Sequence, residues 1–179
     1  MKKIVLTYGI ISGVIIISSI IVSLTLADVD DSMQSLEWFG YLVMILALSV
    51  IFMGVKKYRD QELGGVIKFW TAVKVGLGIS LVASLIYVVA WEVNLAVTDH
   101  AFIEEYTSAQ VASREAAGAS KAEIEQVVQE MEQLKTRYAN PLFRVLITFS
   151  EIFPVGLLIT LIAGAVLQNS KVLPANAEV

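Results

Sequence analysis

Four long apolar runs, separated by polar stretches, dominate the pattern of this chain. They extend over residues 4–26, 38–55, 73–97 and 142–167. Each run is close to the ~20 residues that a helix needs to cross the hydrocarbon core of a bilayer. The first run follows Met-Lys-Lys, as in a secretory signal peptide, but it is longer than the roughly 7–15 apolar residues of a signal core. The pattern therefore predicts an all-α protein whose four transmembrane helices pack as a bundle.

The longest polar stretch, residues 98–140, has a helical pattern of its own. Gly118 interrupts this pattern, and Ser120 and Glu123 then have the spacing of a capping box, in which each side chain binds the other residue's backbone amide. Pro141 ends the second half. The stretch predicts an extracytoplasmic helical hairpin between the third and fourth spans, with apolar faces packed together and an acidic outer face.

Composition excludes most alternatives to a membrane protein. Hydrophobic residues make up 56% of the chain, and the mean hydropathy is +0.72. Cysteine is absent and histidine occurs once, which excludes disulfides, thiolate nucleophiles and metal sites built from several histidines. The sequence has no phosphate-binding loop, nucleophile elbow or dinucleotide fingerprint. We therefore predict no catalytic residue, metal or cofactor, no nucleic-acid partner and a function other than enzymatic.

The distribution of charge predicts an orientation. The first connection, residues 27–37, has four acids and no base, and residues 98–140 have eight acids against four bases. Apart from Arg144 inside the fourth run, the bases outside the long stretch lie at the chain start, around the second connection and in the tail: Lys2, Lys3, Lys56, Lys57, Arg59, Lys68, Lys74 and Lys171. By the positive-inside rule, both termini lie in the cytoplasm of a bacterial inner membrane. Residues 1–170 then form one membrane domain, and 171–179 form a cytoplasmic tail.

The basic second connection has two interpretations. It is either a topological anchor or a binding patch for anionic lipid headgroups. The apolar positions after the Gly64–Gly65 pair also predict an interfacial helix that leads into the third span. The candidate lipid-binding residues are Lys56, Lys57, Arg59, Lys68 and Lys74.

Ionisable residues inside the apolar runs are the main candidates for function, because charge is costly at membrane depth. Arg144, Thr148 and Glu151 follow a helical i, i+4, i+7 spacing on one face of the fourth span. Pro154 lacks a backbone N–H and favours a hinge next to Glu151. We expect Glu151 to remain unpaired.

Glu92 lies near the outer end of the third span, at about the height of Arg144 on an antiparallel fourth helix. An ion pair between the two would relieve part of the desolvation cost of both groups. Asn94 is placed to hydrogen-bond to the same pair.

Small residues recur every four positions in two of the spans. The third span carries Gly76, Ser80 and Ser84, and the fourth carries Gly156, Thr160 and Gly164. Rows of this kind allow helix backbones to approach closely in membranes. They predict direct packing of the third span on the fourth. A substrate groove or a homodimer face is the alternative.

Several of these blocks resemble a bacterial membrane family known only as domain of unknown function 4199 (DUF4199). The similar segments are Tyr8-Gly9, Tyr58-Arg59-Asp60, Gly64-Gly65, Lys74-Val75-Gly76, Ala83–Tyr87, Gly118-Ala119-Ser120, Asn140–Arg144 and Glu151–Gly156. The resemblance extends over roughly residues 2–168. It implies a four-span inner-membrane protein and supplies no activity or ligand residue.

Three functional hypotheses follow. The first is a non-enzymatic accessory or scaffold component of an envelope complex, with another envelope membrane protein as partner. The second is a small homo-oligomeric carrier that couples transport to a proton or cation bound at Glu151. The third is a membrane protein that binds anionic lipids of the bilayer through its basic loop.

Overall fold

The structure, a computed structural model, describes residues 1–26 and 33–175. Within these residues the chain forms six helices and no strand. They are α1 (Lys2–Leu26), α2 (Met33–Glu62), α3 (Phe69–Val97), α4 (Ala101–Ala116), α5 (Lys121–Tyr138) and α6 (Pro141–Leu167). Most of the acidic first connection, and the end of the tail, lie outside the described residues.

Four of the helices contain stretches long and apolar enough to cross a membrane, which confirms the predicted fold class. These stretches are Lys2–Ser19 in α1, Gly40–Glu62 in α2, Phe69–Val97 in α3 and Pro141–Leu167 in α6. The polar helices α4 and α5 follow the third stretch and precede the fourth.

The second connection differs from its prediction. Helix α2 continues to Glu62, well past the predicted end of the apolar run at residue 55. Gly64 (φ 64°) and Gly65 (φ 89°) then reverse the chain in a left-handed conformation that suits glycine. Residues 66–68 are not helical, and α3 begins at Phe69. The predicted interfacial helix does not form as a separate element, because only its positions from Phe69 onward are helical and these belong to the first turns of α3.

The described chain divides into two compact units. The larger unit consists of Met1–Tyr87 and the chain from Phe149 onward. In it, α1, α2, the first part of α3 and the last part of α6 surround an apolar core. Its fully buried members include Leu48, Ile51, Ile79, Ile152 and Leu167.

The smaller unit, Val88–Thr148, contains α4 and α5 together with the end of α3 and the start of α6. His100 (φ 60°) turns the chain between α3 and α4. The capping box predicted at Ser120 and Glu123 is present at the start of α5. Asn140 Oδ1 accepts a hydrogen bond from the Leu142 amide at 2.9 Å, so Asn140 begins α6 as well as following the end of α5.

Candidate functional site

Glu92 and Arg144 form a bidentate ion pair in the smaller unit. Arg144 Nε donates to Glu92 Oε1 at 2.7 Å, and Arg144 Nη2 donates to Glu92 Oε2 at 2.6 Å. Arg144 is buried, with 8% of its side chain exposed, while Glu92 is 29% exposed. The planar guanidinium matches both carboxylate oxygens at once, which is the strongest geometry available to such a pair.

Aromatic rings surround this ion pair. Arg144 Nη1 donates to the Tyr138 carbonyl at 3.2 Å, and its guanidinium lies 5.9 Å from the centre of the Tyr138 ring. Trp91 Nε1 donates to Tyr138 Oη at 2.7 Å. Phe102 contacts Trp91 edge to face, with ring centroids 4.8 Å apart. The cluster therefore joins the end of α3, the start of α4, the end of α5 and the start of α6. We call Trp91, Glu92, Phe102, Tyr138 and Arg144 the clamp.

Polar contacts also hold α4 against α5. Lys135 Nζ binds Glu104 Oε2 at 2.6 Å, and this hydrogen bond raises the pKa of Lys135. At the start of α5, hydrogen bonds from Ser120 hold the pKa of Glu123 below its usual value. Lys135 is partly buried, while Glu104 and Glu123 are exposed, so these bonds define geometry more than they add stability. A groove of about 330 Å³ lies between the two helices and is lined in part by Val111, Val128 and Met131.

Glu151 is placed differently from Glu92. Its side chain is exposed on the surface of α6, and Tyr87 Oη donates to Glu151 Oε2 at 3.3 Å. This hydrogen bond comes from a neutral group, so it is not the ion pair that Glu151 was expected to lack. The sequence analysis did not foresee the contact, because no spacing relates residue 87 of α3 to residue 151 of α6. Thr148 is buried although it lies less than one turn from Glu151. Arg144, Thr148 and Glu151 therefore do not share one environment, since the first two are buried and Glu151 is exposed. Pro154 is exposed on α6, which remains helical through it.

The two small-residue rows face each other in the larger unit. A Cβ built on Gly76 would lie 2.6 Å from Thr160 Cγ2, and one built on Gly156 would lie 2.8 Å from Ser80 Cβ. Ser80 Oγ and Thr160 Oγ1 are 3.2 Å apart and share a hydrogen bond. The rows thus bring α3 and α6 into close contact in this unit.

The remaining members of these rows are also buried. Ser84 Oγ donates to the Ser80 carbonyl at 2.8 Å. Gly164 packs next to Phe69 and Val73, and a Cβ built on it would lie 3.2 Å from each side chain. Among the described residues, the small-residue rows are occupied by helix packing within the chain. Asn94 is half-buried, and its backbone carbonyl accepts a hydrogen bond from Thr98 Oγ1 at 2.9 Å.

Arg59 is a buried structural residue that the sequence analysis treated as a surface cation. Its side chain is fully buried and donates to the carbonyls of Val172 (2.9 Å), Leu173 and Leu167 (3.4 Å), and its Nε binds Asp60 Oδ1 at 2.7 Å. Arg59 therefore fixes the turn that follows α6 to the end of α2. One sequence signal pointed to this role, because residue 59 continues the helical spacing of the buried positions 48, 51 and 55.

The lysines of the predicted lipid patch remain closer to the surface. Lys56 is partly buried and pairs with Asp60 at 2.5 Å, while Lys57 is exposed, with Nζ 5.9 Å from the centre of the Tyr8 ring. Lys68 and Lys74 are exposed. The lipid-binding hypothesis therefore depends on these lysines rather than on Arg59.

Metal-ligating side chains do not converge in the part of the chain that the structure describes. No group of three or more His, Cys, Asp or Glu residues there is arranged to hold a metal ion.

Four apolar helices of membrane-crossing length, joined by short connections and one polar helix pair, define a multi-pass integral membrane protein. The chain belongs to the DUF4199 family, described as a protein of unknown function, whose model matches residues 7–169. No curated protein and no solved structure matches the chain.

Proposed function

We propose that this protein is a non-enzymatic accessory or scaffold component of a complex in the bacterial inner membrane. The observation that carries the proposal is the clamp, which attaches the α4–α5 pair to the ends of two membrane-crossing helices. A helix pair held in this way loses little conformational freedom when it binds a partner, which favours association.

The surface of the pair indicates how it would dock. Its exposed acids include Glu105, Glu115, Glu125, Glu130 and Glu132. Residues 98–140 carry twice as many acids as bases, so they would attract a basic partner surface and speed up its encounter. The positive-inside distribution of lysines and arginines supports an extracytoplasmic position for this pair.

The test is to reverse charge on the exposed face of α5. Glu125→Lys combined with Glu130→Lys changes two exposed acids, and neither forms an ion pair with another described residue. We expect native mass spectrometry of the gently extracted wild type to detect a stoichiometric foreign protein that this variant loses. Thermal unfolding in detergent should match the wild type.

Glu62→Lys is the matched control, since it makes the same exchange at an exposed position at the end of α2. This variant should retain the foreign protein. A wild type that carries no foreign protein, or a double variant that retains it, would refute the proposal.

A second candidate function is a small oligomeric carrier coupled to a proton or cation. The specific observation in its favour is the exposed Glu151 carboxylate on a membrane-crossing helix, within hydrogen-bonding distance of Tyr87. If this function is correct, Glu151→Gln in liposomes eliminates coupled flux while Glu62→Gln preserves it. Flux that survives Glu151→Gln would exclude the role of this carboxylate.

A further inference from the structure

Glu151 lies near the middle of a membrane-crossing helix. It is about ten residues from Pro141 and about sixteen from Leu167, or roughly 15 Å and 24 Å along the axis at 1.5 Å per residue. A carboxylate at such a depth is costly when it faces lipid. The exposed face of α6 therefore needs a group that offsets the charge at residue 151.

The rest of that face is suited to lipid or to another helix. Pro154, Leu157, Leu158 and Leu161 are all exposed along it at helical spacing from Glu151. The Tyr87 hydroxyl donates to the carboxylate but is neutral, so it does not supply the opposite charge. The face is thus an apolar surface with one negative group near its centre.

The two buried arginines of the described residues are already committed to partners within the chain. Arg144 binds Glu92 on two oxygens, and Arg59 binds three carbonyls and Asp60. A second copy inserted with the same orientation would bring its own Glu151 to the same depth. Two carboxylates would then repel each other instead of being neutralised.

We propose that the outer face of α6 around Glu151 docks a transmembrane helix of a different protein, and that a Lys or Arg in the middle of that helix pairs with Glu151. Charge complementarity selects this occupant, because a cation on the partner helix removes the cost of exposing the carboxylate. The inference deepens the proposed accessory function by giving the class of partner and a second contact, inside the membrane, in addition to that of the α4–α5 pair.

The experiment is photo-crosslinking in native membranes with the full chain. A photoreactive phenylalanine at Leu158 probes the proposed face, and the same residue at Leu46, which is exposed on α2, is the matched control. We expect the Leu158 probe to form an adduct with a foreign integral membrane protein. Peptide mapping should place the adduct in a span that contains a Lys or Arg, and the Leu46 probe should not form it.

Glu151→Gln should lower the yield of this adduct roughly tenfold, as expected when a hydrogen bond loses its charged acceptor. Glu151→Lys should abolish the adduct, and replacing the partner's cation with Glu should restore it. Unchanged thermal unfolding of Glu151→Gln in detergent separates this loss from misfolding.

Four outcomes would overturn the inference. They are an adduct with a second copy alone, an adduct with lipid alone, a partner span without a cation, and a yield that Glu151→Gln leaves unchanged. The double variant Glu125→Lys, Glu130→Lys distinguishes this inference from the proposed role of the α4–α5 pair. If the Leu158 adduct persists while docking at that pair is lost, the two contacts are separate.

Discussion

Glu92 and Glu151 are both carboxylates on membrane-crossing helices, and their surroundings are opposite. Glu92 receives two charged hydrogen bonds from Arg144 in a cluster closed by Trp91 and Tyr138. Glu151 is exposed and receives one longer hydrogen bond from the neutral Tyr87. The sequence around each residue is similarly apolar, so the difference arises from what packing places next to it.

This difference separates a structural acid from one available for function. The charge of Glu92 is compensated inside the chain, and it holds the ends of α3 and α6 together in the smaller unit. The charge of Glu151 is not compensated in this way among the described residues, so we expect it to contribute little to folding. An intramembrane acid therefore indicates function only after its neighbours are known.

Among the variants that test this comparison, Arg144→Ala should have the largest effect on stability. It leaves Glu92 without its partner, and we expect the free energy of unfolding to fall by about 2–4 kcal/mol. The loss is somewhat below the ~3–5 kcal/mol of a fully buried pair, because Glu92 is 29% exposed. Thermal or denaturant unfolding in mild detergent measures it.

The control is the double variant Glu92→Gln, Arg144→Gln, which removes both charges. It should lose less stability than the sum of the single variants Glu92→Gln and Arg144→Gln. Each single variant leaves one charge without its partner, whereas the double variant leaves none. Strict additivity would mean that the ion pair is not what holds the clamp.

Arg59→Lys extends the comparison from acids to bases. Lysine keeps the charge but has no planar fork, so it cannot bind the carbonyls of Val172 and Leu173 together. We expect a loss of about 2 kcal/mol, in the range of a hydrogen bond to a charged group, and faster proteolysis of the tail. Lys57→Arg, at an exposed position of the same helix, should leave both measurements unchanged. Equal proteolysis of the two variants would contradict the role given to Arg59.

The helices were predictable because their signals are local. Long apolar runs, the capping box at Ser120 and Glu123, and the turn at Asn140 and Pro141 each lie within a few residues of sequence. The contact between the two small-residue rows was also predictable, since close approach requires small side chains on both helices.

The site was less predictable because its contacts join residues far apart in sequence. The height of Arg144 suggested its partner Glu92, but no spacing indicated that Tyr87 would reach Glu151. Arg59 was interpreted as a surface cation because its neighbours in sequence are basic. Its partners are backbone carbonyls of Val172 and Leu173, and a backbone acceptor cannot be identified from the residue type.

Tyr138→Phe and Tyr87→Phe compare the contributions that the two tyrosine hydroxyls make to stability at the two sites. Tyr138→Phe removes the acceptor for Trp91 Nε1 in a buried position, and we expect a loss of about 1 kcal/mol in unfolding free energy. Tyr87→Phe removes a 3.3 Å bond at an exposed carboxylate, so its loss should be smaller. Unfolding of the two variants side by side measures the difference. A greater loss for Tyr87→Phe would reverse the assignment of structural and available acids.

Glu151→Gln is the smallest expected effect on folding and the most informative one. The isolated protein should change by no more than about 0.5 kcal/mol in unfolding free energy, as for a substitution on an exposed surface. Glu92→Gln is its matched control and should be clearly more destabilising, because it weakens both hydrogen bonds from Arg144. If the two variants lose equal stability, Glu151 is a structural residue and its exposure carries no functional meaning. If only Glu92→Gln is destabilising while Glu151→Gln loses the crosslinked partner, the cost of the exposed carboxylate is offset in the complex rather than in the fold.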